Sequence, residues 1–390
     1  MPTESRIETS RPRDVRLDFF RGIGMFIIYV AHIPNNPWSG WIPARFGFSD
    51  ATEIFVFCSG MASAIAFAKI FDNSGFWLGC ARILHRCWQV YWAHICLFLA
   101  AVALMEGADR FFGTGVSYVN GINLVRFLDT DTGAGIVGLL TLTYVPNLFD
   151  ILPMYLVILL LIPIVMALSR LGPWAPIVFC LSLWLIATLG YWQFPAEPWS
   201  DRRWFFHPLA WQLVFFTGFA FIRGWLPQPP ITKPLIALAV AVVVVNMLLV
   251  VPSLTPLLPV PYAWTRMPDL IIDKTLFGVL RYIHFLALAY LAFAAAGPQG
   301  ARLTGWFVDI CRRVGQQALA VFIASMIAAL VGGVALSRLD YTPIAVASVN
   351  LAGFAVLIAV AYTVGWFKSS PWKSRTRQTI PMDARPLAAE

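Results

Sequence analysis

A series of long apolar runs limits how this chain can fold more than any other feature of its sequence. There are about ten of them, at roughly 19–33, 53–69, 88–106, 151–169, 174–192, 206–222, 234–252, 276–296, 316–336 and 343–366. A helix needs about 20 apolar residues to cross about 30 Å of hydrocarbon. Only 12% of the residues are charged, about half the share of ordinary soluble domains. The sequence therefore predicts an all-α integral membrane protein with about ten transmembrane helices.

The predicted helices form one domain with a basic segment on each side. Residues 19–367 hold all the apolar runs, whereas 1–18 and 368–390 are polar and rich in lysine and arginine. The segments around 107–149 and 253–275 contain apolar stretches too short to span a bilayer. We expect re-entrant or interfacial turns there.

Lysine and arginine are distributed unevenly between the two sides of the predicted helices. With ten helices, the side that holds both termini carries nineteen of the 28 basic residues, the other side carries eight, and Arg281 lies inside a helix. Because cytoplasmic loops are enriched in lysine and arginine, both termini are predicted to be cytoplasmic. The net charge of +8 is explained by this topology, so we expect contact with membrane lipid and no nucleic-acid partner.

The six cysteines give no sign of disulfides or of a metal site. Each lies in a predicted helix or at the cytoplasmic side, and no C-x-x-C pair occurs. Disulfides form in oxidising compartments, and zinc sites commonly use closely spaced cysteine pairs. We expect no disulfide, no bound metal and no permanently bound cofactor.

Ionisable residues fall at two depths of the predicted bundle, where placing each one costs at least a few kcal/mol. The outward group contains His32, Asp50, Glu53, Asp150, His207, Arg281 and His284, and the cytoplasmic group contains Arg21, Arg82 and Arg86. Arg21 and His32 share one predicted helix and are eleven residues apart. They therefore lie on the same helix face, about 16 Å apart along the axis.

Each of these residues also has a structural interpretation. Arginines at helix ends anchor topology, and a single interfacial histidine is more often structural than catalytic. Asp50 with Glu53 is typical of a helix start, where carboxylates meet the positive end of the dipole. The convergence of histidines and carboxylates at one depth favours a functional interpretation.

The two groups suit an acyl transfer that starts from a phosphate-bearing donor. A neutral histidine can accept the proton of an attacking alcohol, and a carboxylate beside it can stabilise the imidazolium. Arginines stay charged and bind phosphate oxygens in pairs. Coenzyme A carries phosphates at one end and a thioester at the end of a long arm, which could extend from Arg21 to His32.

Several segments resemble a known family. LDFFRG (17–22) followed by His32 resembles the arginine–ten residues–histidine signature of acyltransferase-3 membrane proteins, and FVFCSG (55–60) resembles their second-helix motif. Four later segments resemble the OpgC family in particular. They are PNLFDILPMY (146–155), HPLAWQ (207–212), LRYIHFLALA (280–289) and GQQALAVF (315–322).

OpgC proteins are multi-pass enzymes of the bacterial inner membrane that succinylate osmoregulated periplasmic glucans. The resemblance implies that His32 is the catalytic base, that succinyl-CoA is the co-substrate and that a glucose hydroxyl of a periplasmic glucan is the acceptor. Asp150 or Glu53 would orient His32 or act on it electrostatically. Donor phosphates would lie at Arg21, Arg82 and Arg86. The acyl and acceptor site would contain Arg281, His284, Asp50, Gln212 and Trp38, with Arg281 as the cation for the succinyl carboxylate.

Other interpretations stay open at this stage. The same fold could transfer acetyl or another short acyl group to a different periplasmic glycan, directly or through an acyl-histidine. Buried histidines and carboxylates also serve proton-coupled transporters, but the internal repeats common in transporters are not evident in the sequence. The oligomeric state is not readable from these patterns.

Overall fold

The computed structural model describes residues 14–113, 117–251, 253–254 and 269–372, and these residues form a bundle of α-helices. The helices are α1 (Val15–His32), α2 (Ala51–Ser63), α3 (Lys69–Asn73), α4 (Phe76–Phe112), α5 (Tyr118–Gly121), α6 (Val125–Asp129), α7 (Thr132–Thr141), α8 (Ile151–Leu168), α9 (Trp174–Thr188), α10 (Pro208–Arg223), α11 (Lys233–Val250), α12 (Asp269–Ile272), α13 (Val279–Ala296), α14 (Trp306–Gln316), α15 (Ala318–Arg338) and α16 (Pro343–Lys368). A π-helical turn at Ala64–Ala68 joins α2 to α3.

Seven helices in the described residues are long and apolar enough to cross a membrane: α2 with α3 as one unit, α4, α8, α11, α13, α15 and α16. This fits the predicted helical, multi-pass membrane protein. α9 and α10 are apolar but have only 15 and 16 residues, and α1 carries three charges, Arg16, Asp18 and Arg21. The count of ten spans, the cytoplasmic termini and the domain bounds stay predictions, and residues 1–13 and 373–390 of the basic segments lie outside the described residues.

Two predicted helices have different bounds in the structure. The run at 88–106 is only the centre of α4, which has 37 residues, because hydropathy marks the part of a helix that would lie in hydrocarbon and misses its polar extensions. The run at 316–336 corresponds to α15, which begins at Ala318 because Gln317 adopts a non-helical backbone conformation (φ −106°, ψ 30°) and separates it from α14, a helix that no apolar run predicted. α14 is amphipathic and buries Val308, Cys311 and Val314.

The segments predicted not to cross the bilayer form short helices. Between α4 and α8 the chain builds α5, α6 and α7, of which the longest has ten residues. That length covers only about 15 Å, half of the hydrocarbon thickness. Of the second segment, 253–275, the structure describes 253–254 and 269–275.

The backbones of α1 and α14 are in direct contact where the two helices cross, because each helix places a glycine at the crossing. A Cβ atom on Gly22 would overlap the carbonyl oxygen of Cys311, and a Cβ atom on Gly315 would overlap the carbonyl oxygen of Asp18. Small residues allow this kind of approach between helices in membranes. The contact fixes the Arg21 end of α1 to α14.

α2 crosses α10 in the same reciprocal way. A Cβ atom on Gly60 would overlap the carbonyl oxygen of Phe215, and one on Gly218 would overlap the carbonyl oxygen of Phe57. α10 is buried along nearly its whole length. It therefore forms the centre of the bundle on the far side of α2 from α1.

The C-terminal end of α1 is held by α16. The Tyr29 hydroxyl donates a hydrogen bond to the carbonyl oxygen of Val349 at 2.9 Å, and its ring lies against Gly353, where a Cβ atom would overlap it. The turn after α1 also reaches α16 through a buried contact between Asn36 and Asn350. These contacts position the last turn of α1, where His32 lies.

Candidate functional site

His32 is the last residue of α1, and its ring orientation is set by the helix itself. Nδ1 of His32 lies 2.7 Å from the carbonyl oxygen of Ile28, one turn earlier. A carbonyl oxygen can only accept a hydrogen bond, so Nδ1 carries the hydrogen and Nε2 of the neutral ring keeps its lone pair. His32 therefore has a nitrogen that can accept a proton.

This geometry corrects one expectation about the partner of His32. A carboxylate of Asp150 or Glu53 was expected to orient the ring, but the group that receives the Nδ1 hydrogen is the Ile28 carbonyl. The reason is the position of His32 at the helix end, where the carbonyl four residues earlier is within reach of its own side chain. An electrostatic role for a nearby carboxylate is not affected.

His32 lines a cavity of about 520 Å³ beside the C-terminal end of α1. Its polar lining consists of His32, Ser39, Arg45, Asp50, Thr52, Asn147, Asp150 and Lys274, and its apolar wall includes Ile27, Phe55, Phe205, Phe206 and Phe322. The structure thus brings together three of the predicted site residues, His32, Asp50 and Asp150. No group of three or more His, Cys, Asp or Glu in the described ranges is arranged to hold a metal ion.

Asp50 is the N-cap of α2 and is ionised. Its Oδ1 accepts a hydrogen bond from the backbone N–H of Thr52 at 2.6 Å, and its Oδ2 accepts one from the ammonium of Lys274. Burial raises the pKa of Asp50, but the Lys274 charge and these hydrogen bonds outweigh burial and hold the pKa well below its ordinary value. Asp50 therefore places a fixed negative charge in the cavity.

Lys274 is a site residue that the sequence did not single out. The indole N–H of Trp211 donates to its backbone carbonyl at 2.9 Å, and its Nζ lies 5.9 and 5.6 Å from the ring centroids of Phe205 and Phe206. Both contacts join Lys274 to residues more than 60 positions earlier in the sequence. Lys274 looks in sequence like any other basic residue of an outer loop, so no local signal distinguishes it.

Asp150 lies on the cavity wall just before α8 and is only 3% exposed. Its Oδ1 accepts a hydrogen bond from the backbone N–H of Phe205 at 3.2 Å. Burial raises the pKa of Asp150 to about 6, although this hydrogen bond and the positive charge of Arg202 lower it in part. Asp150 thus exchanges its proton close to neutral pH, a property typical of functional carboxyl groups.

Glu53, Arg281 and His284 form a support for the start of α2. Glu53 accepts the backbone N–H of Asp50 at 2.8 Å and Nη1 of Arg281 at 2.8 Å, and Nδ1 of His284 accepts the backbone N–H of Ser49 at 3.2 Å. None of these three residues is among the described residues that line the cavity. The expected contact of Arg281 and His284 with a substrate therefore does not fit their position, because both side chains are engaged with the segment before α2.

Gln212 and Trp38 also lie away from this cavity. Gln212 is fully buried and donates from Nε2 to the carbonyl oxygens of Cys180 at 2.7 Å and Leu209 at 3.1 Å, so it joins α10 to α9. Trp38 lines a neighbouring open groove together with Trp41. The groove shares Ile42 with the cavity wall, which leaves Trp38 beside the site and not in it.

The three arginines predicted to be cytoplasmic lie on two helices with different neighbours. Arg21 is partly buried on α1, which packs on α2, α14 and α15. Arg82 is exposed on α4, and Arg86 donates from Nη1 to Gln89 of the same helix at 3.1 Å. α4 packs mainly on α8. A phosphate site shared by the three arginines stays a prediction.

The model of the family described as OpgC protein matches residues 13–369 of this chain. The match covers α1 to α16 and every residue that lines the cavity. No curated protein and no solved structure matches the chain.

Proposed function

This chain belongs to the OpgC family, and from that premise we propose that it is a membrane-bound O-acyltransferase. The family makes it an OpgC-type transferase. In our proposal the donor is succinyl-CoA, which binds from the cytoplasm. The acceptor is a glucose hydroxyl of an osmoregulated periplasmic glucan, and the enzyme lies in the bacterial inner membrane.

The observation that carries this proposal is the hydrogen bond between His32 Nδ1 and the Ile28 carbonyl beside a cavity at the end of α1. It leaves Nε2 to accept the proton of the glucose hydroxyl as that oxygen attacks the thioester carbonyl. The new ester C–O bond forms and the C–S bond breaks. The departing coenzyme A sulfur then takes the proton from the imidazolium, which restores the neutral ring.

Two carboxyl groups support this step from the cavity wall. Asp50 interacts electrostatically with His32 and favours the imidazolium that forms during transfer, although the opposing effect of Lys274 is the larger of the two. Asp150 lines the same cavity and is the second electrostatic partner in our proposal. Each therefore acts on His32 through its charge, while Ile28 holds the ring.

The donor phosphates are assigned to the other end of α1. α1 is one continuous helix from Val15 to His32, so Arg21 and His32 are separated by about 16 Å along it. The extended arm of coenzyme A suits a separation of this kind. Arg21, Arg82 and Arg86 would bind its phosphates, since guanidinium groups pair with phosphate oxygens.

Mass spectrometry of periplasmic glucans tests the proposal in cells. Cells with the wild-type gene should carry succinyl groups on their glucans, and cells without the gene should not. His32→Ala should behave like the null, whereas His85→Ala, an exposed histidine on α4, serves as the matched control and should behave like the wild type. Unchanged glucan masses in the null would refute the substrate, and full acylation by His32→Ala would refute the mechanism.

A further inference from the structure

Lys274 places a positive charge in the cavity for which the proposed transfer step has no use. It lines the same cavity as His32, and its side chain is 28% exposed. An electrostatic interaction joins it to His32. A cation near a base that must accept a proton does not help that base, and pairing with Asp50 occupies only part of the ammonium.

The start of α2 does not require Lys274. Asp50 already caps the helix through Thr52, and Glu53 completes the capping box on the backbone N–H of Asp50. Glu53 is in turn neutralised by Arg281. The backbone at the start of α2 is therefore satisfied by groups on α2 and α13, whereas Lys274 contacts only the Asp50 carboxylate there.

Lys274 is also held in a defined place. Trp211 fixes its backbone, and the rings of Phe205 and Phe206 lie under its ammonium group. An ammonium has three N–H donors, and in the described part of the chain Asp50 accepts from one of them. The other donors can serve an anion that enters the cavity, and the two phenylalanine rings supply an apolar surface for a short methylene chain.

We propose that Lys274 selects donors whose acyl group ends in a carboxylate. This inference rests on the proposed function, because it assigns the acyl specificity of the same site. A dicarboxylic acyl group carries its second carboxylate a few bonds from the thioester carbon, so that carboxylate lies beside Lys274 when the thioester is at His32. The role replaces the one expected for Arg281, whose guanidinium is bound to Glu53.

The test compares two donors on the full-length protein in lipid nanodiscs with a glucan acceptor. We expect the wild type to prefer succinyl-CoA to acetyl-CoA in kcat/KM. Lys274→Met should lower the ratio of succinyl to acetyl transfer at least tenfold, and Lys274→Arg should keep the succinyl preference. Lys233→Met, which changes a distant exposed lysine at the start of α11, should leave the ratio unchanged.

A second variant separates selectivity from damage to the fold. Lys274→Met leaves the Asp50 carboxylate without its cation, so the double variant Lys274→Met/Asp50→Asn is measured as well and should show the same loss of succinyl preference. An unchanged ratio in both variants would overturn this inference alone. A wild type that prefers acetyl-CoA would overturn this inference and the succinyl donor of the proposed function, while acyl transfer itself would stand. A wild type that acylates the glucan with neither donor would overturn the proposed function and the inference with it.

Discussion

Asn36 and Asn350 exchange hydrogen bonds through their side-chain amides, although 314 residues separate them. Asn36 Nδ2 donates to Asn350 Oδ1 at 2.9 Å, and Asn350 Nδ2 donates to Asn36 Oδ1 at 3.1 Å. Each amide donates in addition to a backbone carbonyl, of Val30 and Val346 respectively. Both side chains are buried, so the pair fastens the turn after His32 to α16 without access to water.

Replacing either asparagine of this pair should destabilise the protein. Asn36→Ala or Asn350→Ala leaves the other amide buried with unmade hydrogen bonds, which costs about 1–3 kcal/mol. The double variant should cost less than the sum of the two, because it leaves no orphaned partner. The free energy of unfolding in detergent is measured for the wild type, both single variants and the double variant, with the exposed Asn120→Ala as the control. Strictly additive losses would contradict a coupled pair.

The buried ion pair of Glu53 and Arg281 should be sensitive to removal of one member. Glu53 is fully buried, and the Arg281 side chain is 10% exposed. Arg281→Met leaves the Glu53 carboxylate buried without its cation, and we expect a loss of about 3–5 kcal/mol in the free energy of unfolding. The double variant Arg281→Met/Glu53→Gln removes both charges and should recover part of that loss. A double variant no more stable than Arg281→Met would show that the pair's charge is not the cause.

The crossing of α1 and α14 should not tolerate a methyl group. Gly22→Ala or Gly315→Ala forces the two backbones apart, because the added Cβ meets a carbonyl oxygen of the other helix. We expect a lower yield of folded protein and a lower melting temperature. Gly107→Ala in α4 is the matched control, since no atom lies within 4 Å of the added Cβ, and it should stabilise its helix by roughly 0.5–1 kcal/mol. Equal behaviour of the three variants would refute the close crossing.

Asp150 should make stability depend on pH between its ordinary and its raised pKa. Because burial raises the pKa of Asp150 to about 6, the folded state favours the neutral carboxyl. This contribution is fully present below the ordinary value of 3.8 and is lost as pH rises to about 6, a change of roughly 3 kcal/mol. Asp150→Asn stays neutral throughout. The difference between its melting temperature and that of the wild type should therefore increase in favour of the variant between these pH values, and should stay constant above pH 6.

The same variant separates stability from activity. If Asp150 acts on His32 through its charge, Asp150→Asn should transfer acyl groups more slowly at neutral pH although it is the more stable protein there. Exposed Asp129→Asn serves as the control for both measurements. A variant that is more stable and equally active would assign Asp150 to the fold alone.

The predicted phosphate site can be tested by binding of free coenzyme A. Each of the single variants Arg21→Gln, Arg82→Gln and Arg86→Gln should bind coenzyme A roughly tenfold more weakly. The reason is that a charge-assisted hydrogen bond contributes about 1.5–3 kcal/mol. Arg110→Gln at the other end of α4 is the control. Because α1 and α4 have different packing neighbours, a loss confined to Arg21 would limit the site to α1.

The membrane class and the position of His32 were predictable because each rests on a regular local pattern. Apolar runs mark helices that cross a bilayer, and a separation of eleven residues places Arg21 and His32 on one helix face. The approach of Asp50 and Asp150 to His32 followed from their equal predicted depth. Depth does not determine direction, however, and Glu53 and Arg281 at the same depth turn toward each other and away from the cavity.

The remaining features depend on pairings between distant parts of the chain. Lys274 enters the cavity because Trp211 holds its loop, and Asn36 is useful only because Asn350 lies opposite. α14 lies before the apolar run at 316–336 and carries Asp309, Arg312 and Arg313, so a search for apolar runs could not reveal it. Tertiary packing decides these points, and one sequence without its relatives carries little trace of them.

α1 is thus fastened at one end to α14 by glycine–carbonyl contacts and at the other to α16 by the asparagine pair. Because α14 and α16 also pack on each other, the three helices form one unit, and His32 keeps its position relative to them. A helix fixed at both ends favours a stationary His32 at a constant depth. In the proposed reaction, the donor and the acceptor would then travel to the histidine from opposite sides of the membrane.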